Sequence, residues 1–254
     1  MQADATKPGS LTYDELLQQN HELQQDLDQM STREKYIWTT LVETSRKLQL
    51  SSASIKAAVS SLLNYDIFWD EANQHEFLST ISTSIDQVSD LVKLVALESR
   101  LEAGVLELKC EPHFLQEILS VVRVNLSRQD PPVEVSVLLP EDGKLIEVDY
   151  AYLTLALEML IHVLVSGSVQ GRIPVIAEET ETNWTVTLKG MDAVIDLIRT
   201  MLYCKTQPDT LGFLSAENIL KLQIACEILH LQKVEFEFAE DKTLMKLIIP
   251  VYSK

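Results

Sequence analysis

Ala96-Leu-Glu-Ser-Arg-Leu-Glu-Ala-Gly104-Val-Leu-Glu-Leu108 divides the 254-residue chain into two textures. Upstream, Ser10 to Ala103 contains neither glycine nor proline. Ninety-four residues without a helix breaker predict very long helices. Downstream, prolines return, and short alternating apolar runs replace the three-four spacing. Gly104 stands at the junction, where a left-handed C′ residue closes a helix.

The upstream part reads as a coiled coil. With a and d at 13, 16, 20, 23 and onward to 58 and 62, eleven of fifteen seam positions are apolar over seven heptads. Asn20 at an a position fixes a parallel, two-stranded register. The alternative is a single amphipathic helix lying on its own domain. Asn64 to Asp70 is poor in helix formers and predicts a bend, with Asp70 capping the next helix. That second helix carries Leu78, Ile81, Ile85, Val88, Val92 and Val95 on one stripe. The two helices make a hairpin, and two hairpins from a homodimer make a four-helix bundle.

Beyond Gly104, strands are expected at Val105–Cys110, Val133–Leu139, Lys144–Val148, Ile173–Glu179, Trp184–Lys189, Val234–Phe238 and Leu244–Ile249. Helices are expected at His113–Arg128, Tyr150–Val165, Ala193–Tyr203 and Ser215–His230. The fold class is therefore α+β: a dimeric coiled coil and helical hairpin, then an α/β sandwich with helices on one face of a mixed sheet. Residues 1–9 are expected to be disordered, 10–104 to form the coiled coil and hairpin, and 105–254 the second domain.

Composition narrows the function. Lys and Arg number 21 against 38 Asp and Glu, a formal charge of −17, which disfavours nucleic-acid and membrane-surface binding. Seven glycines, at 9, 104, 143, 167, 171, 190 and 212, permit no G-x-G, Walker loop or G-x-S-x-G. Cys110, Cys204 and Cys226 are far apart and read as reduced, buried thiols. The first residues have no apolar core, and Leu153–Val165 is too short to span a bilayer, so a cytoplasmic location is expected.

Several segments resemble sensor histidine kinases. Ser54-Ile-Lys56 and Glu76-Phe-Leu-Ser-Thr-Ile81 resemble the dimerisation and phosphotransfer hairpin. Ala96 to Gly104 resembles the exit from its second helix. Val148-Asp149 before an apolar helix, and Ile224-Ala-Cys-Glu-Ile-Leu229 before two terminal strands, resemble the ATP-binding domain. The resemblance implies a phosphoacceptor histidine upstream of Ser54, but that position is Arg46, and no histidine lies between His21 and His75. A guanidinium offers N–H donors and no nucleophilic lone pair.

It also implies two asparagines, four apart, holding Mg²⁺ on ATP. Those positions carry Met159 and Val163, or Glu158 and His162 if the register shifts by one. Related ATPases use a Glu there as a general base, and a solvated Glu–His pair is the plain alternative. The glycine turns that would admit adenine and phosphates are absent, so ATP and Mg²⁺ binding are expected to be lost and no metal site is expected.

The expectation is a degenerate histidine kinase: an inactive, dimeric scaffold for a response-regulator receiver domain or an active histidine kinase. A residual ATPase or phosphotransferase through Glu158 and His162 is the alternative, and a plain coiled-coil module is a third. The resemblance implies partner docking at Leu50, Ala53, Ser54 and Ala57, and tight packing inside the four-helix bundle is the other reading of these small residues. Arg46-Lys47 reads as a solvated pair, with an acidic partner as the other option. His21, His75, His113 and His230 read as solvated or locally bonded.

Overall fold

The computed structural model describes residues 18, 21, 24, 46–61, 71–129, 132–140, 143–166, 172–203, 214–239 and 243–252. The tail expected at 1–9, the bend at 64–70, Cys204 and most of the heptad register before residue 46 lie outside the described residues.

Helix α1 is described over 46–61 and α2 over Glu71–Glu102. On α1 the d positions Ser51 and Ala58 are buried within the single chain, and Ser51 Oγ lies 3.5 Å from Gln87 Oε1 on α2. Over this stretch the d positions are therefore covered by the chain itself. Leu91, Leu94 and Leu97 of α2 are buried, while Leu78, Ile85 and Val92, one heptad apart, are 58%, 51% and 54% exposed.

Helix α2 stops as its sequence predicts. Gly104 adopts φ +64°, its N–H donates to Leu101 O, and the Val105 N–H donates to Arg100 O. These two bonds satisfy terminal carbonyls in the Schellman arrangement, which needs a left-handed residue at Gly104.

The second domain runs in the order β1 (Glu111–Phe114), α3 (Leu115–Ser127), β2 (Glu134–Leu138), β3 (Leu145–Val148), α4 (Tyr150–Ser166), β4 (Arg172–Glu179), β5 (Asn183–Lys189), α5 (Asp192–Tyr203), α6 (Ala216–Leu231), β6 (Glu235–Phe238) and β7 (Leu244–Pro250). The large sheet has the order β2-β4-β5-β7-β6, parallel only between β2 and β4, and β1 pairs with β3 in a small antiparallel sheet. The mixed sheet is thus as the sequence suggests.

One face of each central strand is buried: Ile173, Val175 and Ala177 on β4, Trp184, Val186 and Leu188 on β5, and Met245, Leu247 and Ile249 on β7. Alternation with period two produces this, since successive side chains leave opposite faces of a strand. The buried faces of α3, α4, α5 and α6 share one core with them. Leu94 and Leu97 join that same core, so α2 ends inside the second domain.

The expected strand at Val105–Cys110 is not formed: these residues are neither helix nor strand, and pairing begins at Glu111. The Lys109 N–H is taken by the Asp149 carboxylate, so it has no strand partner to seek. Helix α3 starts at Leu115 rather than His113, because His113 and Phe114 pair with Ile146 and Leu145. Cys110 is consequently exposed, contrary to expectation, whereas Cys226 is buried. Burial, with Glu227 adding to it, pushes the Cys226 thiol up to about 12, which leaves it inert.

Lys233 ends α6 at φ +61°, its N–H donating to His230 O and that of Val234 to Leu229 O. A side chain in this region costs roughly 1 kcal/mol that glycine avoids. Lys233→Gly should raise the unfolding free energy by about 1 kcal/mol in urea titration. A lowered midpoint would contradict this reading of the turn.

Candidate functional site

The site suggested by the sequence lies on α4. Asp149 sets the start of that helix: its Oδ1 accepts from Tyr152 N at 3.1 Å and its Oδ2 from Lys109 N at 2.8 Å. Its own N–H donates to Gln232 Oε1 at 2.9 Å. One buried residue thereby ties the entering chain, the first turn of α4 and the end of α6 together.

Of the two registers for the paired asparagines, the first places Met159 against the core and Val163 fully inside it. A thioether and a branched alkyl group give Mg²⁺ no oxygen ligand. In the second register Glu158 and His162 lie on the polar edge of α4, both half-buried. They do not form the Glu–His pair considered from sequence. Glu158 Oε1 accepts from Asn125 Nδ2 at 2.6 Å, and His162 Nδ1 lies 2.8 Å from Gln129 Oε1. Asn125 lies in the last turn of α3 and Gln129 just past its C-cap Arg128, so the contact is a two-rung ladder from α4 to the end of α3. Ser166 extends the edge by a turn and accepts from Asn218 Nδ2 of α6 at 3.3 Å.

Burial sets the titration of both groups. It raises Glu158 above its ordinary value of 4.5, with the Asn125 hydrogen bond opposing. It lowers His162 below 6.5, helped by Lys221 and opposed by Glu217. Among the described residues no group of three His, Cys, Asp or Glu side chains could hold a metal ion.

The start of α6 is internally satisfied. Ser215 Oγ accepts from Asn218 N at 3.2 Å, a side-chain N-cap. Glu217, in the first turn, meets Lys221 Nζ at 2.8 Å and Lys47 Nζ of α1 at 2.6 Å. Burial works to raise Glu217, but hydrogen bonds and charge from Lys221 and Lys47 outweigh it and hold the carboxyl at about 2. A helix N-terminus open to anions would suit a phosphate; this one carries its own carboxylate. Gly190, between β5 and α5, leaves no slack either. A Cβ there would come within 2.6 Å of Leu164 Cδ2, so this glycine serves the approach of α4.

On α1, Arg46 is exposed, and Leu50, Ala53 and Ala57 are exposed with Ser54 half-buried. Lys47 is not part of a solvated pair; its acidic partner is Glu217. Sequence reading missed Asn125, Gln129 and the Lys47–Glu217–Lys221 cluster. The Glu217/Lys221 spacing was visible as a helix-stabilising i, i+4 pair, whereas Lys47 reaches it only through tertiary contact. Of the other histidines, His113 lies against the Tyr150 ring at 5.2 Å, and His75 and His230 are exposed.

The overall architecture matches solved structures. The Acinetobacter baumannii histidine kinase AdeS superposes with a TM-score of 0.53 at 14% identity, over 80% of this chain and 95% of that one. Full-length ShkA in complex with AMPPNP gives 0.50 at 15% identity, over 87% of this chain and 46% of that one. This is the fold of a sensor histidine kinase. In sequence, the sensor protein KdpD of Mycobacterium tuberculosis, from strains CDC 1551 / Oshkosh and H37Rv, is 34% identical over 88 residues. That stretch is 35% of this chain and spans about a tenth of KdpD. No protein-family model matches the chain.

The lowered His162 has a testable sign. Its neutral form is favoured in the fold, so its contribution to stability is present above pH 6.5 and lost as pH falls through the lower folded value. Glu158 acts oppositely, contributing below 4.5 and losing that as pH rises through its raised value. His162→Gln cannot titrate, so its stability should fall less than the parent's between about pH 7 and about pH 5 in chemical denaturation. Parallel curves would contradict the ladder's electrostatics.

Proposed function

We propose that this chain is a catalytically silent histidine-kinase-like protein of two-component signalling, acting as a homodimeric scaffold for a receiver domain or a partner kinase. The observation that carries the proposal is the self-satisfied edge of α4. Its polar groups are bonded to Asn125 and Gln129, and the competing positions Met159 and Val163 are apolar. Among the described residues, the α4 edge and the start of α6 then offer ATP and Mg²⁺ neither free ligands nor an open helix terminus, and Arg46 supplies no nucleophile.

The residual-ATPase reading would need Glu158 to activate water. Its raised titration would suit a general base, but burial accounts for that shift, and Asn125 already engages the carboxylate. The scaffold reading has support from surface instead. Leu78, Ile85 and Val92 present an apolar stripe on α2 suited to a second copy. Leu50 is 61% exposed beside Ala53 and Ala57, an apolar spot bounded by small side chains that another helix could approach closely.

Light scattering should give twice the 28.7 kDa chain mass. Receiver domains from the same organism should then be titrated against the parent, Leu50→Glu and Ala57→Arg. The proposal expects one receiver to bind the parent and lose on the order of tenfold in affinity with either variant, at unchanged mass and melting temperature. A monomer, or equal binding by all three proteins, would overturn it.

A further inference from the structure

The large sheet ends at β6, whose one neighbour in the strand order is β7. The register fixes which of its backbone groups face away. Glu235 and Glu237 lie opposite Ile248 and Lys246, and one pair further on the Ala239 N–H donates to Leu244 O. Bonded pairs in an antiparallel ladder recur at every second residue. Glu235 and Glu237 therefore direct their backbone groups to β7, and Phe236 and Phe238 direct theirs to the open edge. The Tyr203 hydroxyl, at the end of α5, agrees: it donates to Phe236 O at 3.0 Å. Among the described residues, that carbonyl alone of the four outward groups has a partner.

The side chains divide in the same way. Glu235 and Glu237 are exposed on the outer face of the sheet. Neither forms an ion pair among the described residues, although Lys246 stands opposite Glu237. On the inner face Phe236 and Phe238 are half-buried, and the exposed Tyr203 ring meets Phe238 edge-on at 6.0 Å. The open edge thus runs between a strip of carboxylates and a ledge of aromatic carbon.

A second copy of β6 suits this edge poorly. Antiparallel self-pairing sets Glu235 and Glu237 against their counterparts, and like charges facing across a ladder repel. A chain of formal charge −17 attracts the opposite sign instead. We infer that the β6 edge is a docking site for an extended basic segment of another protein, added to the sheet as a sixth strand. Its Lys or Arg side chains meet Glu235 and Glu237, and its alternate apolar side chains lie on Phe238 and Tyr203. One of its N–H groups replaces the Tyr203 hydroxyl on Phe236 O. The inference goes beyond the scaffold reading and holds whether or not a receiver domain binds.

So acidic a chain attracts any cation, and the test separates strand addition from charge alone. The probe is a capped hexapeptide alternating Lys and Val; its control has the same composition with three Val followed by three Lys. Both are titrated against the parent, Glu235→Lys/Glu237→Lys, and Glu107→Lys/Glu117→Lys, which reverses two exposed carboxylates on other elements. The alternating peptide should bind the parent, bind the β6 variant on the order of tenfold more weakly, and bind the other variant within about twofold of the parent. The control peptide should bind the parent on the order of tenfold more weakly than the alternating one. Amide exchange at Phe236 and Phe238 should slow when the alternating peptide is bound.

No binding, equal loss in the two variants, equal binding of the two peptides, or unchanged exchange at both amides would overturn the inference. Exchange that slows with protein concentration alone identifies a second copy as the occupant and overturns it as well. If Glu235→Lys/Glu237→Lys does not fold, the alternating peptide N-methylated at its Val amides or at its Lys amides takes its place. A strand bonds through one edge, so one of these two peptides should lose binding and the other keep it. Loss in neither or in both overturns the assignment.

Discussion

Helix α4 is packed against α3 and α6 and lies over the sheet, and this three-sided confinement dictates what its remaining edge can do. Leu153, Leu157, Leu160, Ile161 and Leu164 are all at or near zero exposure. Burying a side chain of that size contributes about 1.5–3 kcal/mol, so the helix cannot rotate to offer its polar positions elsewhere. The half-buried Glu158 and His162 must then find partners close by, and Asn125 on α3 and Gln129 just past its end supply them. Polar groups half out of water cost free energy unless bonded. The packing that holds the fold is thus the same constraint that sets which partners this edge meets.

Most of the architecture was legible from the sequence because the signals were local. Alternation along Ile173–Glu179 and Trp184–Lys189 needs no knowledge of distant residues, and β4 and β5 form within a residue of those bounds. Gly104 likewise declares a left-handed helix end by being glycine, and its φ of +64° agrees. The expected strand at Val105–Cys110 failed for a non-local reason: Asp149, forty residues on, takes the Lys109 N–H. Period-two patterning says a segment is half-buried, without saying whether its backbone has a neighbour to pair with.

The site was legible only in part. Glu158 and His162 could be placed on one helix face, but their partners sit on α3 and just past its end, and no spacing rule joins positions 33 residues apart. Lys47 and Glu217, 170 residues apart, were beyond any sequence pattern. A missing histidine, asparagine pair or glycine turn is of another kind, since it is read from the sequence without any tertiary contact. The proposed function rests on these absences together with the bonded α4 edge.

The central claim is that this fold no longer handles nucleotide. Isothermal titration of the intact chain with millimolar Mg–ATP, paired with a radiolabel assay for phosphate on the protein, addresses it most directly. The predicted result is no saturable heat and no label. Binding at about 100 µM or tighter, where about 5.5 kcal/mol of affinity must come from real contacts, would contradict it, as would any covalent phosphate on the chain.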